Sequence, residues 1–291
     1  MSLRAGRPVS RADIDTLAEL TAALASPFSE LCAANLYLFR QVHDYRWAEG
    51  DAPALVGRTY DGIRHLTPLV RQSYLDLAGL SARLGADEVV YPLDRDQVEG
   101  LPATADPDDS DYLFEARDLV ELPGEIRKGR RSLRNRFRRL QRPREEPMGA
   151  GTLDDALAVL DGWLADVGRA AGATDHAACR EALDLRRALG LEGLISYTSA
   201  GEPAGFLLAS VRGDASVVHF AKGRRRHSGV YPHLFGRWAE AGAGRFVRLN
   251  FEQDLGNPGF RRSKRAYGPA ALLAKHRLAK YRLGGEGGRE V

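Results

Sequence analysis

Cysteine is scarce in this chain, and its scarcity excludes two kinds of site. Only Cys32 and Cys179 occur among 291 residues, which is too few for a disulfide framework. Neither belongs to the cysteine and histidine patterns that hold metal ions. We therefore expect no disulfide and no metal centre, and we expect both cysteines to be buried as small apolar residues.

Long apolar runs are also missing. No stretch approaches the roughly 20 uninterrupted apolar residues of a membrane span, and residues 1–10 lack the apolar core of a signal peptide. Hydrophobic residues make up 44% of the chain and charged residues 28%, as in soluble globular proteins. We expect no membrane span and, by default, a cytoplasmic location. The length allows one large core or two ordinary ones.

Several motifs of catalysis do not occur. The sequence contains no Gly-x-x-x-x-Gly-Lys phosphate loop, no Gly-x-Ser-x-Gly nucleophile turn and no His-Glu-x-x-His metal motif. ATP-dependent chemistry, serine-nucleophile hydrolysis and metalloprotease chemistry are therefore not indicated.

Basic charge, by contrast, is concentrated in one segment. Eight cations lie between Ile126 and Leu140 without an acidic residue, although the net charge of the chain is only +3. Ile126, Leu133, Phe137 and Leu140 recur at helical spacing, which predicts a helix with one buried edge and guanidinium groups on its other faces. Clustered like charges destabilise an isolated helix, so a phosphate-rich polyanion is the leading partner, and a solvated helix face is the alternative. The candidate contacts are Arg127, Lys128, Arg130, Arg131, Arg134 and Arg138.

Periodicity and turn signals outline the remaining elements. In the first half of the chain these signals predict helices at residues 11–24, 29–41 and 73–84, and strands at residues 54–60, 63–69, 88–92 and 111–114. In the second half they predict helices at 152–172, 175–189 and 229–241, strands at 195–198, 204–212, 216–220 and 246–251, and a final basic helix.

Proline and glycine between residues 142 and 151 mark a boundary, so the predicted domains are 1–146 and 147–291. Two helices, three adjacent antiparallel strands, a helix, a strand and a helix form an α+β order. This is also the element order of the acetyltransferase-like fold.

A cationic loop at residues 220–229 lies between a predicted strand and a predicted helix. Acetyltransferases of that fold carry an Arg/Gln-x-x-Gly-x-Gly/Ala loop there, which holds the pyrophosphate of coenzyme A. The segment from Arg226 to Gly229 matches the first part, whereas Tyr231 stands where a small residue is needed. The candidate nucleotide contacts are Arg224, Arg225, Arg226 and Gly229.

Two carboxylates follow the strand predicted at residues 246–251. Glu252 and Asp254 are at alternate positions, so their side chains are expected on one side, where they could hold an ammonium group or accept its proton. The alternative is that they pair with Arg261 and Arg262. His219, inside a strand, is either a packed core histidine or a base.

Three separated stretches resemble one known family. They are residues 111–124 with the basic helix that follows, residues 250–256 with 261–269, and residues 26–40. Together they resemble, over roughly residues 26–275, the family that includes the C-terminal domain of bacterial phosphatidylglycerol lysyltransferases. The resemblance implies an α+β protein of two tandem acetyltransferase-like (GNAT) domains, each a mixed, mostly antiparallel sheet flanked by helices.

The resemblance also implies an activity. Some family members move an aminoacyl group from a charged tRNA to a hydroxyl or an amine, and the activated ester then needs no further cofactor. We expect aminoacyl-tRNA as cosubstrate, gripped by the basic helix, and a small-molecule acceptor. The alternatives are an N-acyltransferase that uses acyl-CoA and a noncatalytic RNA-binding module. The expected catalytic residues are Glu252, Asp254, Tyr267 (as proton donor) and His219, and the expected substrate contacts are Asn250, Lys222, Asp111 and Tyr112.

Overall fold

A computed structural model describes residues 3–71 and 75–281 of the chain. In chain order the strands are β1 (Ala5–Pro8), β2 (Arg46–Ala48), β3 (Ala54–Arg58), β4 (Arg64–Pro68), β5 (Glu88–Leu93), β6 (Ala103–Ala105), β7 (Asp111–Glu115), β8 (Arg144–Pro147), β9 (Glu192–Tyr197), β10 (Pro203–Arg212), β11 (Ala215–Gly223), β12 (Arg248–Asn250), β13 (Ala271–Leu273) and β14 (His276–Ala279). The α-helices are α1 (Ile14–Leu24), α2 (Ala33–Leu38), α3 (Leu77–Ala82), α4 (Ala116–Glu121), α5 (Lys128–Gln141), α6 (Leu153–Val167), α7 (His176–Asp184), α8 (Val230–Ala241) and α9 (Pro258–Arg265).

The strands form two mixed sheets of seven strands each. The first has the order β1-β2-β3-β4-β5-β14-β6 and the second the order β13-β7-β12-β11-β10-β9-β8. Each sheet contains one parallel pair, β4 with β5 and β11 with β12, and all its other neighbours are antiparallel. This is the predicted α+β class with mostly antiparallel sheets.

Local signals located most elements correctly. The Asp61-Gly62 pair turns the chain between β3 and β4, because Gly62 takes the left-handed conformation with φ of 86°. Residues 73 and 74 of the helix predicted at 73–84 lie outside the described part of the chain, and α3 occupies the remainder from Leu77. No helix in residues 3–71 and 75–281 combines the length and the apolar composition that crossing a membrane requires.

The sheets divide the chain at a different place from the boundary predicted at residue 146. Strand β7 precedes that boundary and β8 spans it, yet both pair within the second sheet. Strand β14 lies far beyond the predicted boundary in the sequence, yet it pairs with β5 and β6 of the first sheet. Proline and glycine at residues 142–151 mark only the local turns around β8, because turn chemistry carries no information about which distant strand a segment joins.

One of the hydrophobic clusters among the described residues connects the two sheets. Leu17 of α1 and Leu36 of α2 pack in the same cluster as Leu160 of α6, Leu183 of α7 and Phe206 of β10, and all five are at most 1% exposed. Helices from the N-terminal part of the chain thus cover the second sheet, so the two halves share their apolar interior.

Strands β11 and β12 diverge near the centre of the second sheet. Their parallel pairing ends where Val217 lies opposite Asn250, while β11 continues to Gly223. The register between β10 and β11 shifts by one residue between Leu208 and Ala209, which leaves His219 as the extra residue of a bulge. The divergence leaves His219 on one side of an opening and the chain after Asn250 on the other.

Candidate active site

A pocket opens where the first sheet and α2 meet the loop that follows β12. Its wall combines two carboxylates with several aromatic rings, an environment that attracts cations. The lining residues are Glu30, Asn35, Phe39, His43, Tyr45, Tyr60, Glu252, Gln253 and Leu255. In the described part of the chain, no group of three histidine, cysteine or carboxylate side chains is arranged to hold a metal ion.

Glu252 is held in the pocket wall by several independent contacts. Its carboxylate Oε1 accepts hydrogen bonds from Asn35 Nδ2 at 3.0 Å and from His219 Nδ1 at 2.9 Å. Its backbone N–H donates to Asn250 Oδ1 at 2.7 Å, and its φ of 57° lies in the left-handed region. That conformation costs a non-glycine residue on the order of 1–3 kcal/mol. Within the described residues no hydrogen bond occupies Oε2, so this oxygen is available to a ligand.

Lys264 reinforces the same loop from α9. Its Nζ donates to the carbonyl oxygens of Phe251, Glu252 and Gln253 at 2.6, 3.1 and 2.6 Å. Burial lowers the pKa of Lys264 to about 8, although Glu252 and other carboxylates nearby oppose the shift. A side chain that satisfies three successive carbonyls fixes the strained turn and thereby the direction of the Glu252 carboxylate.

His219 connects Glu252 to the interior of the second sheet. Its Nε2 lies 2.8 Å from Ser210 Oγ, and its ring is buried. Burial opposes protonation of the ring, but Cys32 and Glu252 beside it outweigh burial and raise the pKa of His219. Of the four predicted catalytic residues, the structure thus brings Glu252 and His219 into contact.

A buried lysine that was not predicted lies behind the pocket. Lys275 is fully buried, and its Nζ lies 2.5 Å from Asp111 Oδ1, 2.5 Å from Glu30 Oε2 and 2.9 Å from Gln253 Oε1. Asp111 Oδ2 also accepts from Asn250 Nδ2 at 2.8 Å. Burial raises the pKa of Glu30, and the charge of Lys275 opposes this shift. Because Lys275 stands between β13 and β14, this network ties the second sheet to the first.

Asp254 lies outside the pocket wall, in an ion pair of its own. Its carboxylate accepts from Tyr112 OH at 2.6 Å and from Arg261 Nε at 2.8 Å, and its side chain is 1% exposed. Burial would raise the pKa of Asp254, but Arg261 and Tyr112 outweigh it and hold the value at about 2. For Asp254 the structure therefore agrees with the alternative of an ion pair with Arg261.

Tyr267 and Lys222 are also away from the pocket. Tyr267 is 3% exposed within an aromatic cluster that includes Phe114, Phe235 and Phe251, and burial raises its pKa. Lys222 Nζ lies 2.7 Å from both carboxylate oxygens of Asp175, and over the ring of Trp163. None of the predicted substrate contacts lines the pocket; Asn250 and Asp111 support its wall from behind, and Tyr112 contacts Asp254.

The residues predicted to hold nucleotide phosphates have partners within the second domain. Arg224 Nε and the backbone N–H of Arg225 both donate to Asp166, at 3.0 and 2.8 Å, and Arg226 pairs with Glu202. At Gly229, with φ of 98°, an added Cβ would collide with the carbonyl group of Leu133 and meet Phe137. Helix α5 therefore covers the N-terminus of α8, where the fold would otherwise place a pyrophosphate.

Helix α5 forms where the basic segment predicts it, but its buried edge is different. Ile126 and Leu140 are 62% and 56% exposed, whereas Phe137 and Arg134 are buried at 2% and 6%. The prediction that four apolar residues form the buried edge is therefore wrong at both ends. Arg134 takes a place in the interior because its guanidinium group finds carbonyl partners there.

Those partners belong to the C-terminal end of α4. Arg134 donates to Val120 O and Glu121 O, Arg131 donates to Leu122 O and Gly124 O, and Arg127 donates to the carboxylate of Asp118. The last carbonyls of a helix have no partners within the helix and carry partial negative charge, so cations stabilise them.

The other predicted cations divide between internal contacts and solvent. Arg130 contacts Ser263, Arg138 contacts His233, and of the six predicted cations only Lys128 is exposed. On α5 and at its C-cap, the exposed cations are Lys128, Arg136, Arg139 and Arg142.

Sequence reasoning missed most of the pocket wall. Glu30 and Asn35 lie at residues 26–40, one of the stretches that resemble the family. That resemblance is the feature of the sequence from which they could have been predicted. Tyr60 lies beside the predicted turn, whereas Tyr45 and Lys275 have no local feature that sets them apart. Their roles depend on which distant segments the fold brings together.

Comparisons with known proteins agree with this architecture. The family model described as phosphatidylglycerol lysyltransferase, C-terminal, matches residues 21–279. A conserved protein of unknown function from Bacteroides thetaiotaomicron is similar over 93% of this chain and 97% of its own, with 23% identity and a TM-score of 0.75. The L-PGS structure from Bacillus licheniformis covers 96% and 94%, with 16% identity and a TM-score of 0.60. FemX covers 91% and 96%, with 9% identity and a TM-score of 0.62.

No curated protein matches the chain. At such low identities the solved structures establish the fold alone, and the predicted pair of tandem acetyltransferase-like (GNAT) domains is confirmed.

Proposed function

Because the chain belongs to the family of phosphatidylglycerol lysyltransferase C-terminal domains, we propose that it is an aminoacyltransferase that uses charged tRNA as donor. In this proposal the aminoacyl group passes to an amine or hydroxyl of a small-molecule acceptor. The observation that carries the proposal is one pocket, between the two domains, in which Glu30 and Glu252 lie among aromatic side chains.

Such a pocket suits an aminoacyl group because every such group carries an α-ammonium. Glu30 and Glu252 give the pocket the negative charge that attracts an ammonium group, and the aromatic rings of Phe39 and Tyr45 in the same wall favour a cation. Lys275 offsets part of the negative charge at Glu30, so the wall as a whole accepts one cation rather than several.

The proposed transfer depends mainly on the relative positions of the two substrates, because the ester of a charged tRNA is already activated. The acceptor attacks the ester carbonyl, a C–N or C–O bond forms, and the C–O bond to the ribose breaks. The proton that the nucleophile loses ends on the ribose oxygen. Glu252 is the group in the pocket wall that can accept and return that proton, which typically contributes 10²- to 10⁴-fold. Orientation of the two substrates can contribute on the order of 7–11 kcal/mol.

The acyl-CoA alternative finds less support. Arg224 and Arg226 are paired with Asp166 and Glu202, and α5 packs against Gly229 at the N-terminus of α8. A pyrophosphate there would have to displace both ion pairs and a helix. A charged tRNA needs no such site, because it would meet the cations that α5 presents to solvent.

The proposal is tested by following the aminoacyl group. The full-length chain is incubated with tRNA carrying radiolabelled amino acids and with a deproteinised small-molecule extract as the source of acceptor. We expect label to leave the tRNA and to appear in a small product. Treatment of the tRNA with RNase beforehand should abolish product formation, and radiolabelled acetyl-CoA should not replace the tRNA.

Glu252→Gln is the matched control for that assay, because an amide keeps the shape of the side chain but cannot accept the proton. Transfer that survives RNase would refute the tRNA donor. Tight tRNA binding without turnover in any extract would identify the noncatalytic RNA-binding module instead.

A further inference from the structure

The mouth of the pocket carries two exposed apolar side chains. Tyr60 is 49% exposed and Leu255 is 39% exposed, and both belong to the pocket wall. Tyr60 comes from the turn between β3 and β4 of the first sheet, whereas Leu255 comes from the loop after β12 of the second. An aromatic face and an aliphatic side chain therefore flank the entrance, one from each domain.

The ring of Tyr60 is fixed in place. The ring of His43 packs against it in a T-shaped arrangement, with ring centroids 4.6 Å apart and an interplanar angle of 75°. His43 is itself held by a hydrogen bond of 2.7 Å between its Nδ1 and the carbonyl oxygen of Arg58. The turn is anchored by Asp61, whose carboxylate lies 2.6 Å from Nη1 of Arg277. An exposed ring with this support loses little freedom when a flat ligand covers its face.

We infer that Tyr60 and Leu255 receive the terminal nucleobase of the donor RNA. This inference rests on the proposed function. If the ester carbonyl lies between Glu30 and Glu252, the ribose that carries it must lie at the entrance. The base is attached to that same ribose, so it is within reach of Tyr60 and Leu255, which flank the entrance.

The charges around the entrance favour a base over a phosphate at this position. Glu30 and Glu252 lie in the same wall and repel a phosphate group, whereas a nucleobase is neutral and needs only a flat apolar surface. Arg58 is exposed, at the end of β3 beside the turn that carries Tyr60. Stacking of a single-stranded base on an aromatic ring tolerates any base, which suits a terminus that all tRNAs share.

The inference is tested with an RNA minihelix that ends in the single-stranded 3′ terminus of tRNA, with 2-aminopurine in place of the terminal adenine. Stacking quenches the fluorescence of 2-aminopurine. We expect the full-length wild-type chain to quench it, and Tyr60→Ala to lose the quenching and to bind about 5- to 150-fold more weakly. Tyr60→Trp should keep both properties, because the larger ring still offers a face.

Phe260→Ala is the matched control, since Phe260 is 52% exposed but does not line the pocket. It should leave binding and quenching unchanged, and melting curves should show that all variants fold. Wild-type binding without quenching, or equal binding by Tyr60→Ala, would overturn the inference and leave the proposed function intact. Failure of the wild type to bind any tRNA in a filter assay would overturn both.

Discussion

Glu252 and Asp254 lie two positions apart in the chain, yet their carboxylates occupy opposite surroundings. Glu252 lines the pocket and leaves Oε2 available among the described residues. Asp254 is buried against Arg261 and Tyr112. The left-handed conformation of Glu252, with φ of 57°, turns the chain between them, so the strand-like alternation expected from the sequence does not extend past β12.

The pair gives a prediction with an internal control. Glu252→Gln should lower kcat by about 10²-fold or more, because the amide cannot accept a proton. Its amide oxygen can still accept from Asn35 and His219, so the melting temperature should fall less than in Asp254→Asn. Asp254→Asn should do the reverse: it weakens hydrogen bonds to a charged partner and should cost about 1–3 kcal/mol of stability, with near-normal turnover per folded molecule. Steady-state kinetics and calorimetry on both variants check this. Full activity of Glu252→Gln would remove it from the mechanism.

Asp254 also predicts a pH dependence of stability. Its pKa is held at about 2, below its ordinary value of 3.8. A carboxylate with a lowered folded-state pKa stabilises the protein fully above its unfolded value, and that stabilisation is lost as the pH falls toward the folded value. The difference in unfolding free energy between the wild type and Asp254→Asn should therefore shrink between about pH 4 and pH 2. Urea titrations at several pH values measure it; a difference that stays constant over this range would contradict the ion-pair interpretation.

Local chemistry accounts for much of what the sequence predicted. The helix at α5, the turn at Asp61-Gly62 and the candidate carboxylate Glu252 each follow from residues close together in the chain. The inward position of Arg134 does not, because it depends on the carbonyl oxygens of α4. The role of Lys275 could not be predicted from local sequence either, because its partners Glu30 and Asp111 are 245 and 164 residues away in the chain.

Because several of the predicted cations of α5 make internal contacts, RNA binding is now expected at the arginines of α5 that are exposed. Arg136 and Arg139 are exposed, so the double variant Arg136→Glu/Arg139→Glu should weaken tRNA binding about 10-fold or more. It should also reduce the slope of log K against log salt by about 0.7–0.9 for each phosphate that the variant no longer neutralises. Arg169→Glu/Arg187→Glu makes the same change of charge at exposed positions outside α5 and should bind nearly as the wild type does. Equal weakening in the two double variants would show that α5 is not the binding surface.

Arg134 should behave as a structural residue. Replacing it with Met keeps an unbranched side chain but leaves the carbonyl oxygens of Val120 and Glu121 without its guanidinium group. Loss of hydrogen bonds by buried polar groups typically costs about 1–3 kcal/mol. Arg139→Met, on the exposed face of the same helix, should change stability by about 0.5 kcal/mol or less. Denaturant melts of both variants decide the matter, and equal stabilities would mean that α4 does not depend on this contact.

The buried network around Lys275 should dominate the stability of the junction between the sheets. Lys275→Met leaves Glu30 and Asp111 without their cation, and an uncompensated buried charge typically costs about 3–5 kcal/mol. Burial already raises the pKa of Glu30 above its ordinary value of 4.5, against the pull of Lys275, and without the lysine that pKa should rise further. A carboxyl group with a raised folded-state pKa favours the folded state below its unfolded value and loses that effect as the pH rises.

Lys275→Met should therefore be more destabilised at pH 8 than at pH 5, and Asp111→Asn in the same chain should restore part of the loss. Denaturant melts at both pH values provide the comparison. A loss that does not depend on pH and is not relieved by Asp111→Asn would show that Lys275 contributes packing rather than charge.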